Sequence, residues 1–77
     1  MATLASAVET EFTPAVGDFN VQVTGGVVTL LRKNTSGAAF SAVQPAFSGA
    51  FICGNPVAGA VYKFAVTSGT PTVQADQ

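Results

Sequence analysis

Hydrophobic and polar residues alternate with a period of two along most of the chain after residue 17. In residues 18–24, DFNVQVT, the side chains of Phe19, Val21 and Val23 share one side and polar side chains occupy the other. Successive side chains of a β-strand point to opposite faces of the sheet. The pattern therefore predicts a strand with one buried face.

A glycine pair follows this strand. Gly25 and Gly26 predict a two-residue hairpin turn, because glycine readily adopts the positive φ angles that such turns need. Residues 27–33 then form the returning strand. Both sides of that strand carry apolar residues near its middle, so we expect it to be covered on both faces.

Turn-forming residues separate further short strands along the rest of the chain. Residues 34–37 (NTSG) and 68–71 (SGTP) predict turns, since Asn, Ser, Gly and Pro favour turn conformations. Strands are predicted at residues 38–43, 46–53 and 61–67, with a short terminal strand or arm at residues 72–75. The fold class predicted is all-β, a small antiparallel β-sandwich or barrel of about six to seven short strands.

The alternation also predicts the domain organisation and the core. Residues 1–12 lack it and are expected to form an N-terminal arm or an edge segment, whereas residues 13–77 are expected to form a single β-sandwich domain. The expected core consists of large apolar residues on the inward sides of the strands. They are Phe19, Val21, Val23, Val28, Leu30, Phe40, Phe51, Tyr62, Phe64 and Val66.

Length and composition indicate a chain that needs partners to bury enough surface for stability. A domain of 77 residues buries only about 60% of its unfolded surface, so its stability alone is marginal. With one cysteine and no histidine, neither an internal disulfide nor a Cys/His zinc site is available. Three basic and four acidic residues are few for a soluble monomer. We therefore expect a homo-oligomer, with a trimer favoured, or docking onto a larger assembly.

The same composition argues against two classes of partner. Arg32 and Lys33 are the only adjacent basic residues, and nucleic-acid binding requires a larger basic cluster. No apolar run approaches the roughly 20 residues that cross a bilayer. We therefore expect neither a nucleic-acid nor a membrane partner. Residues 1–8 also lack the basic and apolar regions of an export signal, so we expect synthesis in the cytoplasm.

Residues able to support catalysis or metal binding are scarce. Cys53 has no histidine to generate its thiolate and is expected to pack as a small hydrophobe. Glu9 and Glu11 would share one face of a strand, but a calcium site needs about six or more oxygen ligands. The sequence thus predicts no catalytic, cofactor-binding or metal-binding residue, no cofactor and no enzymatic activity.

Some apolar residues remain outside the predicted core. Val27, Leu31, Phe47 and Val61 are candidates for a protein interface, because contiguous exposed apolar patches mark interaction sites. The alternative is a two-sided core that buries all four.

Three stretches of the chain resemble a known family. Residues 19–33 (FNVQVTGGVVTLLRK), 40–43 (FSAV) and 59–66 (GAVYKFAV), followed by Ser68 and Gly69, are similar to small β-sandwich virion proteins of tailed bacteriophages. That family commonly shows a G-x-V-x-L-x-R strand, an aromatic-x-x-V strand and a Y-[RK]-apolar strand ending in Ser-Gly. The resemblance covers roughly residues 17–75. It departs at Phe40, where Trp is common, and in an extra residue between Leu30 and Arg32.

The resemblance implies a structural role in a virion. Its members are often capsid decoration (cement) proteins, which stabilise the head by bridging major capsid subunits. It implies the capsid exterior as location, and the major capsid protein or other virion proteins as partners. The alternative is a tail-fibre, head-fibre or other adhesin-like recognition module.

Overall fold

A computed structural model of the chain describes residues 2–77, so Met1 of the predicted N-terminal segment lies outside the described part. Five strands form one antiparallel sheet, which confirms the all-β prediction. They are β1 (Thr3–Ala5), β2 (Gly17–Lys33), β3 (Ser41–Ala42), β4 (Phe47–Asn55) and β5 (Val61–Asp76). Residues 2–77 include no helix of the length and apolarity that a bilayer crossing requires.

The long strand β2 lies at the centre of the sheet. β5 pairs with one side of β2 over nearly its whole length, and β1 pairs with the end of β5. The other side of β2 is shared by β4, which pairs with its first half, and β3, which pairs near its end. All pairs are antiparallel.

β2 and β5 are bent, since neither would fit within the molecule as a straight strand. A strand of 17 residues extends about 55 Å, whereas the largest dimension of the molecule is 31 Å. The pairing register shifts where Gly26 lies opposite Gly69. Phe19, near the start of β2, has its ring centroid 5.2 Å from that of Tyr62, which pairs near the end of β2. The sheet therefore folds over, and its two halves face each other across a shared core.

The predicted hairpin at Gly25 and Gly26 is wrong, because β2 continues through both glycines. A Cβ atom on Gly26 would lie 2.6 Å from the carbonyl oxygen of Ser68 and 2.8 Å from Cδ of Pro71. Glycine is needed here for the close approach of two bent strands. The predicted turn at residues 68–71 is wrong as well, since these residues belong to β5.

The strands are consequently fewer than expected, and β2 and β5 are much longer. β3 is restricted to Ser41–Ala42 within the predicted strand at residues 38–43. The predicted strand at residues 46–53 corresponds to β4, and residues 72–75 are the continuation of β5. Since all strands belong to one hydrogen-bonded sheet, the choice between a sandwich and a barrel stays a prediction.

The core lies between the two halves of the folded sheet. Its buried apolar residues are Ala5, Phe12, Phe19, Val21, Val23, Val28, Leu30, Ala60, Tyr62, Phe64, Val73 and Ala75. Most of the predicted core is therefore confirmed. Val66 is a wrong assignment, because it is 45% exposed near the bend of β5. Phe51 is only partly buried at the margin of the core, and Phe40 is partly buried beside two lysines.

The N-terminal segment runs along the outer edge of β5. Ala2 and Gln77 exchange two backbone hydrogen bonds of 2.9 Å. Farther along, the amide of Glu9 donates to the carbonyl of Phe64, and Phe12 exchanges backbone hydrogen bonds with Tyr62. The ring of Phe12 also packs against the core aromatics. The segment thus covers much of one edge of the sheet.

Candidate protein-interaction surfaces

One side of β4 has no partner strand. β4 pairs with β2 along one side, and no strand in residues 2–77 pairs with the other. Its nine residues, FSGAFICGN, include neither a charged residue nor a proline. An unpaired strand presents a row of N–H and C=O groups to which another strand can bind. We call this unpaired side the β4 edge.

The other sheet edges carry features that prevent strand addition. β1 and β3 are three and two residues long, and very short edge strands offer little to pair with. The N-terminal segment covers the edge of β5 near both of its ends, where the ammonium of Lys63 lies 3.4 Å from the carboxylate of Glu9. The stretch between is interrupted by Gly69, with a φ of 73°, and by Pro71, which has no N–H to donate. Among the edges in residues 2–77, the β4 edge is therefore the long one without such protection.

Most of the β4 edge is regular. Residues 50–55 pair with residues 17–22 of β2 without interruption. Gly49, with a φ of 96°, precedes this stretch, and the register with β2 shifts beyond it. Pro56 follows directly after β4. The regular part of the edge is thus bounded at both ends.

Exposed apolar side chains lie on or beside β4. Ile52 is 65% exposed on the outer face of the sheet, opposite Asn20 of β2. Val16 is 59% exposed and directly precedes Gly17, which pairs with the last residue of β4. On the inner face, the rings of Phe47 and Phe51 make an edge-to-face contact of 4.5 Å and are only partly buried. Both faces of β4 therefore offer apolar surface next to the unpaired backbone.

A buried polar network fixes the end of β4. Asn55 is 1% exposed, and its side-chain nitrogen donates to the carbonyl oxygens of Pro14 at 3.0 Å and Ala15 at 3.3 Å. Its side-chain oxygen accepts hydrogen bonds from the hydroxyl of Tyr62 and the amide of Val57. These four hydrogen bonds hold the end of β4 against the segment before β2, the loop after β4 and the start of β5. They thereby position the β4 edge. The pattern of residues along the chain does not predict this role of Asn55.

The four residues predicted as an interface do not form one group. The side chains of Val27, Leu31 and Val61 lie on the outer face of the sheet. Each of these residues is adjacent in its strand to a buried core residue, whose side chain points to the inner face. Phe47 lies opposite the buried Val28 and therefore points to the inner face. All four are partly buried. Their contact with a partner stays a prediction.

A second surface feature surrounds Phe40. The ammonium groups of Lys33 and Lys63 lie 4.7 and 4.8 Å from the centre of its ring, within cation–π distance. Lys33 also lines a concave polar groove with Arg32, Asn34 and Ser41. Lys63 and Glu9 form the only ion pair within residues 2–77. Neither Arg32 nor Lys33 therefore has an acidic partner in this part of the chain.

The residues considered for chemistry are Cys53, Glu9 and Glu11. Cys53 is partly buried at the margin of the core, and this burial raises the pKa of its thiol, an effect opposed by Arg32 and reinforced by Asp18. Glu9 pairs with Lys63, whereas Glu11 is exposed. Nowhere in residues 2–77 do three His, Cys, Asp or Glu side chains gather as potential metal ligands.

Comparison of the chain with protein-family models, with curated proteins and with solved structures gives no match.

Proposed function

We propose that this chain is a non-catalytic structural module of a larger protein assembly, of the capsid decoration type that its sequence resembles. The observation that carries the proposal is the β4 edge. A long, uncharged strand with one side unpaired and with Ile52 exposed beside it is suited to pairing with another polypeptide. Pairing would satisfy the backbone groups of β4 and remove apolar surface from water.

The charge of the chain supports the same function. Seven of its 77 residues are charged, and β4 contains none of them. Interface cores are depleted in charged residues relative to the rest of a protein surface. A decoration protein of this kind would contact major capsid subunits on the capsid exterior, and Val27, Leu31 and Val61 on the outer face are further contact residues in the proposal.

The energetics suit a protein present in many copies. Burial of apolar surface contributes about 25 cal/mol per Å², from which the cost of ordering two partners is subtracted. A small module therefore gains little from one contact. Repetition of the contact over a shell adds these small contributions together.

The experiment starts with purified particles in which this chain is identified by mass spectrometry. The chain is stripped from the particles, and the temperature of capsid disruption is measured before stripping, after it and after re-addition of the purified chain. We expect stripping to lower this temperature and re-addition to restore it. An unchanged disruption temperature would contradict the stabilising role, and absence of the chain from the particles would contradict the virion location.

A second candidate function is favoured by the groove at Arg32. Two cations without an acidic partner in the described chain, together with Asn34 and Ser41, can bind a carboxylate, sulfate or phosphate group. An adhesin-like module recognising anionic glycans would use such a groove. Binding on a glycan array that is lost in a Lys33→Ala variant would favour this function over capsid decoration.

A further inference from the structure

We infer that the β4 edge pairs with the β4 edge of a second copy of this chain. The two strands run antiparallel about a two-fold axis, and the two sheets become one continuous sheet across the dimer. The inference rests on the proposed function, because it names the partner of the same edge.

Charge allows this self-pairing. When identical edges meet about a two-fold axis, a charged residue near the axis approaches the same charge on the other strand, which destabilises the pair. Residues 47–55 carry no charge, so two copies meet without this penalty. The neutral edge equally lacks a charge pattern that would select an acidic or basic partner strand.

The geometry of the edge defines a register. In a two-fold antiparallel pair, residues on the same face oppose each other, and the regular stretch is residues 50–55. A register centred on Ile52 uses this stretch, placing Ala50 opposite Gly54 and Phe51 opposite Cys53 of the other copy. The two Ile52 side chains, each 65% exposed in the single chain, then contact each other on the outer face.

The size of the edge suits a small, reversible dimer. A specific interface buries at least about 1,000 Å² in total, or about 500 Å² from each copy. This is about an eighth of the 3965 Å² surface of the chain. β4 supplies a single edge of nine residues, and apolar side chains on both of its faces remain partly or largely exposed. We therefore expect a dimer that dissociates on dilution.

Sedimentation velocity over a range of concentrations tests the inference. The mass of the wild-type chain should rise from 7.7 kDa towards twice that value as the concentration increases. Ile52→Lys places two ammonium groups opposite each other at the axis and should weaken association about tenfold or more. Val66→Lys is the matched control, since Val66 is also exposed but lies on β5, and it should dimerise as the wild type does.

The outcomes separate this inference from the proposed function. A chain that stays monomeric, forms a trimer, or dimerises equally well with Ile52→Lys would overturn the pairing of two β4 edges. Circular dichroism checks that Ile52→Lys is folded, and Ile52→Glu is the second variant, since it places two carboxylates opposite each other at the same axis. A dimer sensitive to both substitutions would support the pairing even if the chain were absent from particles, a result that would overturn only the proposed function.

Discussion

The hydroxyl of Tyr62 donates a hydrogen bond of 3.1 Å to the side-chain oxygen of Asn55 in the interior of the molecule. Tyr62 has no exposed surface and Asn55 is 1% exposed. Buried polar groups cost free energy unless they are hydrogen-bonded, so this pair stabilises the fold only because both partners are present. It ties the end of β4 to the start of β5.

Tyr62→Phe should lower the free energy of unfolding by about 1–3 kcal/mol, because the oxygen of Asn55 loses a buried donor. Denaturant unfolding followed by circular dichroism measures the change. Thr67→Val is the control, since it removes an exposed hydroxyl that is 3.0 Å from the hydroxyl of Thr29. We expect less than about 0.5 kcal/mol there, and equal effects of the two substitutions would contradict the importance of the buried pair.

Asn55→Asp should make stability depend on pH. The side-chain nitrogen of Asn55 faces the carbonyl oxygens of Pro14 and Ala15, so an ionised carboxylate in its place meets two acceptors without a proton to donate. The introduced carboxyl group then has a pKa above its usual value of about 3.9. The variant should lose about 3 kcal/mol or more at neutral pH and recover part of it as the pH falls towards 4.

The same change at an exposed position provides the comparison for that substitution. Asn34→Asp lies in an exposed turn and should leave the free energy of unfolding nearly constant between pH 4 and pH 7. Matching pH profiles for the two variants, measured by denaturant unfolding, would show that Asn55 is not buried against the carbonyl oxygens of Pro14 and Ala15.

Gly26→Ala should strongly destabilise the fold. Its Cβ atom would lie 2.6 Å from a backbone oxygen and 2.9 Å from a backbone nitrogen, neither of which is at the end of a flexible side chain. Overpacking of this kind costs about 1–3 kcal/mol or more. Gly37→Ala is the matched control, because its Cβ atom would meet nothing within 4 Å. Thermal unfolding of both variants tests whether β2 and β5 approach each other at Gly26, and equal melting temperatures would argue against it.

Cys53 should react slowly with thiol reagents in the folded chain. Burial raises the pKa of its thiol above 9.0, so less thiolate is present at neutral pH than in the unfolded chain. The folded chain binds the thiol proton more tightly than the unfolded chain does. This binding contributes to the free energy of unfolding below pH 9.0, and the contribution is lost as the pH rises above 9.0. Labelling rates across alkaline pH, with denatured protein as reference, measure the shift, and identical pH profiles would contradict it. In Cys53→Ala this contribution to the pH dependence of unfolding should disappear.

The alternation of residues predicted the strands and most of the core, because a one-sided strand carries its burial pattern in its own sequence. Phe19, Val21 and Leu30 are correct for this reason. The connection between strands was predicted less well. Gly25 and Gly26 are equally suited to a turn and to a bend, and the choice depends on β5, which is far away in sequence.

The surface features were largely beyond sequence reasoning. The exposure of Ile52 and the unpaired side of β4 follow from the order of strands in the sheet, which no local pattern encodes. The role of Asn55 depends on contacts with residues about 40 positions away. Phe47 was correctly assigned to a strand, but its separation from Val27, Leu31 and Val61 required the pairing register.

Hydrogen exchange tests most directly whether the β4 edge is completed by another polypeptide on the assembled particle. Amide exchange in residues 50–55 is compared between dilute free chain and chain bound to purified particles. The amides of β4 that point away from β2 should exchange rapidly in the free chain and be protected on the particle, while the amides joining β2 and β5 should be protected in both states. Equal exchange of β4 in the two states would contradict an assembly role for this edge.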